Sequence, residues 1–321
     1  MVSVIIPNYN HREHLRQRID SVLHQTYRDI EVIILDDCST DGSQEIIRAY
    51  EGHPLVRDIV WNEKNSGSPF KQWQRGIELA NGEWIWIAES DDYADAQFIE
   101  KLIFALPSAS NVGLLYCDSK IVSGNDVSSE TFATIKNKKF HTTRWSENHQ
   151  NSGTEEIENF LLAAGTINNT SAVLFNTKIL VEANPFDIPL RFIGDKYAFM
   201  KVLTRSDVVY VKEALNYFRD PFNVKHVGGY TYYFYEQILV YDWALKNLSI
   251  KNKKKFYEGF YANTRNSIFR GWSKTKVDLY LKSFAVNPKL FLKSVIHNLW
   301  QSFRKLTSPG QPPAIAAKPS Q

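Results

Sequence analysis

Apolar runs of strand length alternate with segments of helical periodicity through the first 117 residues. The predicted strands are 2–6, 29–37, 55–61, 83–88 and 112–117. The predicted helices between them are 11–24, 43–50, 70–80 and 96–106. In the predicted strand 83–88, Trp84 and Trp86 lie on one face and Ile85 and Ile87 on the other. Both faces are therefore apolar, as expected for a strand with helices on both faces of its sheet. This alternation predicts a doubly wound, mostly parallel α/β sheet of the Rossmann-like kind.

The pattern changes after residue 117. Residues 118–153 are polar and weakly periodic, which predicts a long loop. Beyond them the sequence predicts helices at 155–164 and 195–204, a strand at 170–175 and a strand pair near 208–218. After Gly229 it predicts only helices to about residue 305, followed by a disordered Pro- and Ala-rich end. We therefore expect a domain over 1–225, a C-terminal helical extension over 226–306 and a disordered tail over 307–321.

Composition excludes several classes of protein. The two cysteines, Cys38 and Cys117, lie outside any Cys-x-x-Cys pair, so neither a disulfide framework nor a zinc site is expected. No run of about 18 apolar residues is present, so no segment is predicted to span a bilayer. The apolar start from Val2 to Ile6 is too short for a signal peptide. These features predict a cytoplasmic protein.

The C-terminal region is strongly basic. Residues 246–305 contain fourteen Lys or Arg and two acids, Glu258 and Asp278. Within 274–305 these charges are mixed with apolar residues at near-helical spacing, as in helices that bind an anionic membrane surface. Such binding would make the protein peripheral on the inner face of the cytoplasmic membrane. The alternative is that these helices only cover the sheet. No motif for nucleic acid is present.

Carboxylates follow two of the predicted strands. Asp36 and Asp37 end the second strand, and Glu89, Asp91 and Asp92 follow the fourth. In open α/β sheets ligands bind outside the carboxyl ends of the strands. Two carboxylate groups meeting there would repel each other unless a cation or a proton neutralised them. Mg²⁺ or Mn²⁺ suits both carboxylates and a diphosphate, so a metal site is predicted. The alternative role for these residues is capping of helix N-termini.

Four segments together resemble the family-2 glycosyltransferases of the GT-A fold. They are PNYN (7–10), SVLHQTYRDIEVIILDDCSTDGS (21–43), NSG (65–67) and GEWIWIAESDDYAD (82–95). The resemblance implies an inverting, metal-dependent transfer from a UDP- or dTDP-sugar to a hydroxyl of a glycan or lipid-linked glycan. It also implies a role in bacterial surface-polysaccharide synthesis, such as O-antigen or capsule. Residues 1–117 would be the nucleotide-sugar-binding half and 118–225 the acceptor-binding half.

The resemblance also implies roles for individual residues. Asp37 would hydrogen-bond the base, and Asp91 would ligate the Mn²⁺ or Mg²⁺ ion that bridges the donor phosphates. Glu89 stands where the family has Asp and would face the ribose or the metal, with Asp92 beside it. The implied donor-binding residues are Pro7, Asn8, Tyr9, Asn10, Asp36, Asp37, Lys71, Glu89, Ser90, Asp91, Arg219 and His226. For Lys71, Arg219 and His226 the alternative is a solvated side chain.

The segment RFIGDKYAFMKVL (191–203) resembles the acidic motif that supplies the family's catalytic base. The family often has Glu-Asp at this motif. Gly194 replaces the Glu here, which leaves Asp195 as the implied base. An Asp at the start of a helix is also a plain N-terminal cap.

Two other functions compete with a glycosyltransferase. A sugar-nucleotide pyrophosphorylase would need a glycine-rich N-terminal loop, and PNYNHREHL is not glycine-rich. A nucleotide-sugar-binding scaffold without activity is the non-enzymatic alternative. Glu89 and Gly194 are the departures that favour the scaffold, whereas Asp37, Asp91 and Asp195 argue against it.

Overall fold

The structure, a computed structural model, describes residues 1–108, 111–124, 126–219, 229–265 and 274–307. Within them one mixed sheet forms the centre of the molecule, in the strand order β3-β2-β1-β4-β9-β6-β10-β5. Strand β7 pairs with β6, and β8 pairs with β10. The longest ladders are parallel, so the predicted α/β class is confirmed.

The first half of the sheet follows the predicted alternation closely. Its strands are β1 Val2–Asn8, β2 Ile30–Asp36, β3 Val56–Trp61 and β4 Trp84–Ile87. Its helices are α1 Arg12–Leu23, α2 Ser43–Arg48, α3 Pro69–Leu79 and α4 Phe98–Phe104. Strands β1 to β4 are mutually parallel where they pair, and every residue of β1 and β2 is buried. The carboxyl ends of β1, β2 and β4 therefore share one edge of the sheet.

The predicted loop over 118–153 is wrong. Short strand β5 is Tyr93–Ala94, and β6 runs over Val112–Ser123, well past Cys117. It is followed by β7 Asp126–Thr131, α5 Phe132–Phe140, a 3-10 turn at Arg144–Ser146 and β8 His149–Ser152. Five of the six residues of β7 are exposed, so this strand carries no apolar alternation. Such a strand gives no periodic signal in the sequence.

The next segment contains the helix that carries Asp195. A helical stretch comprises α6 Gly153–Glu156, a π-helical turn at Ile157–Leu161 and α7 Leu162–Ala164. It is followed by a 3-10 turn at Thr170–Ala172, β9 Val173–Asn176, α8 Thr177–Ala183, α9 Gly194–Leu203 and β10 Asp207–Arg219. Helix α8 was not predicted, and β10 is a single long strand rather than the predicted pair.

The predicted C-terminal helical extension is confirmed. It comprises α10 Gly229–Asn247, α11 Lys253–Thr264, α12 Lys274–Val286 and α13 Pro288–Thr307. Buried Phe234, Tyr241 and Leu290 from these helices share one hydrophobic cluster with Ile5 and Ile85 of the sheet. The predicted tail beyond residue 307 and the predicted boundary between 225 and 226 lie outside the described residues. None of the described helices is long and apolar enough to cross a membrane.

Two hydrophobic clusters cover the two faces of the sheet. One contains Trp73 of α3 and Phe199 of α9, and the other contains Leu15 of α1 and Phe98 of α4. Helices α3 and α9 therefore lie on the same face. Their first turns touch, since a Cβ placed on Gly194 would come 2.5 Å from the ring of Phe70. This contact places the starts of both helices beside the edge where β1, β2 and β4 end.

Candidate active site

A cavity of about 370 Å³ opens at the carboxyl ends of β1, β2 and β4. We call it the β1–β4 cavity. Its lining residues are Pro7, Asn8, Tyr9, His11, Asp37, Asn65, Gly67, Ser68, Pro69, Gln72, Glu89 and Ser90. The fold thus brings together six of the predicted donor-binding residues, from three segments distant in sequence. Asn10 and Asp36 do not line the cavity.

Asp37 is the most heavily hydrogen-bonded carboxylate at this edge. Its Oδ1 accepts from Asn62 Nδ2 at 2.6 Å, from the Ser66 amide at 2.9 Å and from Gln72 Nε2 at 2.9 Å. Its Oδ2 accepts from Asn65 Nδ2 at 3.1 Å and from Ser66 Oγ at 2.8 Å. The segment from Asn62 to Gln72, which follows β3 and starts α3, is therefore anchored on one buried carboxylate.

Asp36 and Asn10 support the carboxyl edge of the sheet without lining the cavity. Asp36 is fully buried and accepts from Asn8 Nδ2 at 2.9 Å and from the Ser39 amide at 3.0 Å. Asn10 has a positive φ of 57° and accepts from the Thr40 amide at 2.8 Å. These contacts join the ends of β1 and β2, so both residues position the cavity wall rather than form it.

Glu89 lies between the cavity and the α3 helix. Its Oε1 accepts a hydrogen bond from Trp73 Nε1 at 2.6 Å. Burial, and next the charge of Asp91, raise the pKa of Glu89 to about 8. At neutral pH and without a ligand this carboxyl is therefore mostly protonated, unlike an ordinary surface Glu.

Arg18 is a completely buried cation beneath the same loop. Its Nε donates to the Glu89 carbonyl at 2.8 Å, and its guanidinium lies 5.4 Å from the centre of the Trp86 ring. Burial lowers its pKa to about 10. Neither Nη has a hydrogen-bond partner among the described residues. Arg18 thus fixes the backbone at Glu89 and places a positive charge beneath the acidic loop.

Asp92 is tied to two distant segments. Its Oδ2 accepts from Asn169 Nδ2 at 3.0 Å, and its Oδ1 accepts from the Arg219 amide at 2.9 Å. Burial and the nearby charge of Asp91 raise the pKa of Asp92 to about 7. The Arg219 side chain donates to the Asp91 carbonyl and to Gln17 Oε1. Both oxygens of Asp92 are already engaged, and Arg219 closes the loop onto the end of β10.

Asp91 is the acidic side chain best suited to a metal ion. It is partly exposed, and its carboxylate accepts no hydrogen bond from the described residues. The described residues contain no group of three or more His, Cys, Asp or Glu that could hold a metal by itself. Mg²⁺ is often bound through one or two carboxylates plus substrate phosphates. The residues present therefore fit an ion that arrives with a diphosphate.

Two histidines of the first α1 turn were not anticipated. His11 Nδ1 lies 2.7 Å from Ser90 Oγ and lines the β1–β4 cavity. Burial, and next the charge of Arg219, lower the pKa of His14, which also lies near Asp91. Their position directly after the PNYN motif, at a helix start, is the sequence signal that could have found them. Arg18 lies one turn beyond His14 on the same helix.

Asp195, the predicted base, lies in the first turn of α9. Its Oδ1 accepts from the Lys196 amide at 2.6 Å, and burial raises its pKa to about 6. Lys196 is buried beside it, with no hydrogen-bond partner for its Nζ among the described residues. The Phe70 ring occupies the space that a side chain at Gly194 would need, which explains why no Glu stands there.

A second cavity of about 450 Å³ lies between the start of α3 and the segment before α9. We call it the α3–α9 cavity. It is lined by Ser66, Gly67, Ser68, Phe70, Lys71, Gln74, Pro185, Phe186, Asp187, Ile188, Pro189, Leu190, Arg191 and Gly194. Lys71 lines this cavity and not the β1–β4 cavity. His226 lies outside the described residues.

Comparison with known proteins relates the first half of the chain to one protein family. Residues 3–160 match the model of the family described as "Glycosyl transferase family 2". TuaG of Bacillus subtilis, a candidate glycosyltransferase of teichuronic acid biosynthesis, is 38% identical over 101 residues. Glycosyltransferase GlyG of Streptococcus pneumoniae is 37% identical over 105 residues. These alignments cover 32% of this chain, 40% of TuaG and 34% of GlyG, so the chain matches well under half of either relative.

Solved structures share the fold over nearly the whole chain. Residues 1–349 of TarS from S. aureus superpose with a TM-score of 0.67 at 17% identity, covering 95% of this chain and 92% of that one. The mannosyltransferase PcManGT of Pyrobaculum calidifontis, solved with GDP-Man and Mn²⁺, gives a TM-score of 0.55 at 16% identity. That match covers 94% of this chain and 87% of PcManGT. At such identities the likeness shows the fold alone, and it confirms the predicted GT-A architecture.

Proposed function

We propose, from the premise that residues 3–160 form a family 2 glycosyltransferase domain, that this chain transfers a sugar from a nucleotide diphosphate donor to a hydroxyl of a glycan acceptor. One observation carries the proposal. The β1–β4 cavity is lined by residues 7–9, Asp37, Glu89 and Ser90. The Asp91 carboxylate, which accepts no hydrogen bond from the described residues, lies next to Ser90 at the same edge of the sheet. The cavity volume of about 370 Å³ is within the range of small-ligand sites.

The donor is proposed to be a UDP- or dTDP-sugar. The ring of Tyr9 is 47% exposed at the cavity, where it can pack on a base, and Asp37 fixes the opposite wall. TarS, which shares this fold, has been solved with UDP and with UDP-GlcNAc. These complexes support a uridine nucleotide without deciding which sugar it carries.

The metal is proposed to be Mn²⁺ or Mg²⁺, held by Asp91 together with the donor diphosphate. Such an ion, when bound, stabilises the negative charge of the leaving nucleoside diphosphate. Glu89 adds one oxygen that is not engaged by Trp73, whereas Asp92 acts by holding the loop to Asn169 and Arg219. PcManGT, solved with Mn²⁺, is the solved relative that supports the identity of the ion.

Asp195 is proposed as the general base that removes the proton from the acceptor hydroxyl, with inversion at the anomeric carbon. A pKa of about 6 leaves it mostly ionised at neutral pH, yet basic enough to accept a proton. A positioned base contributes about 10²- to 10⁴-fold to such a step. The inactive scaffold alternative would have no use for a carboxylate with a raised pKa at this place.

Nucleotide binding tests the proposal directly. UDP, dTDP, GDP and CDP are added with and without Mn²⁺ to wild type and Asp91→Ala, and thermal unfolding is followed. A ligand at 100 times its Kd adds about 2.7 kcal/mol to the free energy of unfolding. One nucleotide should stabilise the wild type with metal, and Asp91→Ala should lose the metal-dependent part. If no nucleotide stabilises the protein under either condition, the proposed donor site is refuted.

The acceptor is proposed to be a surface glycan carried on a lipid, and the enzyme to act on the inner face of the cytoplasmic membrane. TarS is named for poly(ribitol-phosphate), which supports a surface polymer such as capsule, O-antigen or teichoic acid as the product. That relative is 32% identical over 100 residues, and the match covers only 17% of its length.

Helices α12 and α13 supply the surface for this location. Leu292, Ile296, Leu299 and Trp300 of α13 are between 48% and 65% exposed and lie at helical spacing on one face. The opposite face of α13 packs into the core through Leu290. On α12, Val277, Leu281 and Phe284 are also exposed at this spacing. The segment 274–305 that carries these residues is rich in Lys. We propose that its exposed apolar residues bind anionic lipid rather than a second copy of an equally basic segment.

A further inference from the structure

The α3–α9 cavity adjoins the β1–β4 cavity, since Gly67 and Ser68 line both. Its wall also contains Gly194, which directly precedes Asp195. An acceptor must reach both the donor and the base that takes its proton. We infer that the α3–α9 cavity is the acceptor subsite, and that it takes a sugar carrying an oxyanion, either a phosphate or a carboxylate. This inference rests on the proposed transferase function.

The charge of the cavity carries the inference. Three ionisable side chains line it: Lys71, Arg191 and Asp187. Asp187 is already neutralised, because it accepts from Lys201 Nζ at 2.7 Å and from the Tyr197 hydroxyl at 2.9 Å. Among the described residues, Lys71 Nζ donates to the neutral Ser66 carbonyl, at 2.9 Å, and to no carboxylate. The cavity therefore presents two cations and no free carboxylate.

Arg191 is the better positioned of the two cations. Its guanidinium lies 5.1 Å from the centre of the Tyr232 ring, and among the described carboxylates it makes no ion pair within 4.0 Å, although its charge acts on buried Glu236. The backbone that presents it is held by buried Glu236 of α10. That carboxylate accepts from the amides of Arg191, Phe192 and Ile193 at 2.7, 3.0 and 3.1 Å. A cation on a fixed backbone loses less freedom when it binds an oxyanion.

The remaining wall suits a sugar ring. Phe70, Phe186, Ile188 and Pro189 form apolar surface, while Ser66, Ser68 and Gln74 provide hydroxyl and amide groups. A mainly apolar wall with a few polar groups is the usual composition of a small-molecule site, and about 450 Å³ accommodates one or two sugar units. Arg and Lys at one side then select for an oxyanion on that sugar.

Three probes that share one ring test the inference: glucose, glucose 6-phosphate and glucuronic acid. Their binding is measured by titration calorimetry with saturating UDP and Mn²⁺, so that the β1–β4 cavity is filled. The proteins are wild type, Lys71→Gln, Arg191→Gln, the double variant and Arg75→Gln. Arg75 is the matched control, because it is an exposed cation on the same helix that lines neither cavity.

Wild type and Arg75→Gln should bind at least one anionic probe about tenfold more tightly than glucose, since each charged hydrogen bond is worth about that factor. The double variant should lose this preference. The two anionic probes then show whether the site prefers phosphate or carboxylate. Equal binding of all three probes by wild type, or a preference that survives in the double variant, overturns the inference. So does loss of UDP binding in Lys71→Gln, which would assign Lys71 to the diphosphate. If wild type binds neither UDP nor dTDP, that is a different result, and it refutes the proposed function itself.

Discussion

Trp73 Nε1 donates a hydrogen bond of 2.6 Å to Glu89 Oε1, and so links the face of α3 to the acidic loop after β4. Trp73 is 3% exposed, and its ring meets the edge of the Phe70 ring with centroids 4.8 Å apart. Phe70 in turn packs against Gly194 at the start of α9. Through these contacts the proposed metal loop and the proposed base share one rigid wall.

Trp73→Phe should destabilise the protein and alter its dependence on pH. The variant keeps an aromatic ring but leaves Glu89 Oε1 without the Trp73 donor, which costs about 1–3 kcal/mol. Because the pKa of Glu89 is raised from its ordinary 4.5 to about 8, the protonated carboxyl stabilises the fold. This contribution is complete below pH 4.5 and is lost as the pH rises through about 8. The Trp73 hydrogen bond lowers that pKa, so its loss should move the decline to higher pH.

Urea unfolding between pH 4 and 9 measures both effects. Trp300→Phe is the control, since Trp300 is half exposed on α13 and should change stability little. Equal stability of Trp73→Phe and wild type at every pH would contradict the role given to this hydrogen bond.

Asp195→Asn should abolish most transfer without loss of stability. The expected fall in kcat is about 10²- to 10⁴-fold if Asp195 is the base. Burial makes the ionised carboxylate costly, so a neutral Asn should leave the free energy of unfolding at pH 7.5 equal or higher. In wild type, kcat should fall as pH drops through about 6, where the base becomes protonated.

Initial rates and urea unfolding are compared for wild type, Asp195→Asn and the half-buried control Asp207→Asn, which lies at the start of β10. Near-normal transfer by Asp195→Asn would exclude this residue as the base. A fall in activity that merely tracked a fall in stability would show a structural role instead.

Gly194→Ala should lower stability because of the Phe70 ring. The added Cβ would come 2.5 Å from ring atoms, so Phe70 must move and weaken its edge contact with Trp73. Overpacking of this kind costs about 1–3 kcal/mol. In a double-mutant cycle, Phe70→Leu should relieve much of that cost, giving a coupling of about 0.5–3 kcal/mol. If the two changes in the free energy of unfolding are strictly additive, the Phe70 ring is not what excludes a side chain at position 194.

The sequence predicted the elements that carry strong periodicity and missed those that lack it. The strands ending in Asp36 and before Glu89 were predicted because apolar runs of that length have few other structures available. Strand β7 was missed because it is exposed on both faces, and it forms through pairing with its neighbour β6. Pairing of that kind depends on tertiary contacts that a local pattern does not contain.

The same distinction holds at the site. Carboxylates at strand ends predicted a ligand site at the carboxyl edge of the sheet. The structure does bring Asp37, Glu89 and Ser90 to one cavity there. Sequence could not show that Trp73 and Arg18 hold Glu89, because those contacts join segments 16 and 71 residues apart. It also placed Lys71 with the diphosphate, whereas the fold turns this residue to the adjoining cavity. The assignments of Lys71 and Asp195 therefore remain predictions.

The exposed face of α12 and α13 should bind vesicles of anionic lipid. Wild type is expected to sediment with phosphatidylglycerol vesicles at low salt and not with phosphatidylcholine vesicles. Binding should weaken at higher ionic strength, since screening shortens the range of the lysine charges to about 8 Å at 0.15 M salt. Ile296→Ser combined with Leu299→Ser should remove most binding, because burial of each such side chain contributes about 1.5–3 kcal/mol.

Phe104→Ser is the matched control for that experiment. Phe104 is 77% exposed at the end of α4, so the substitution removes an apolar side chain that is even more exposed than Ile296 or Leu299 from another part of the surface. It should leave vesicle binding unchanged, and both variants should keep the wild-type response to UDP. Sedimentation velocity without lipid tests whether a second copy of the chain covers this face instead. If wild type is a dimer that the α13 double variant dissociates, and vesicles bind neither protein, then the face joins two copies of the chain and the membrane proposal is wrong.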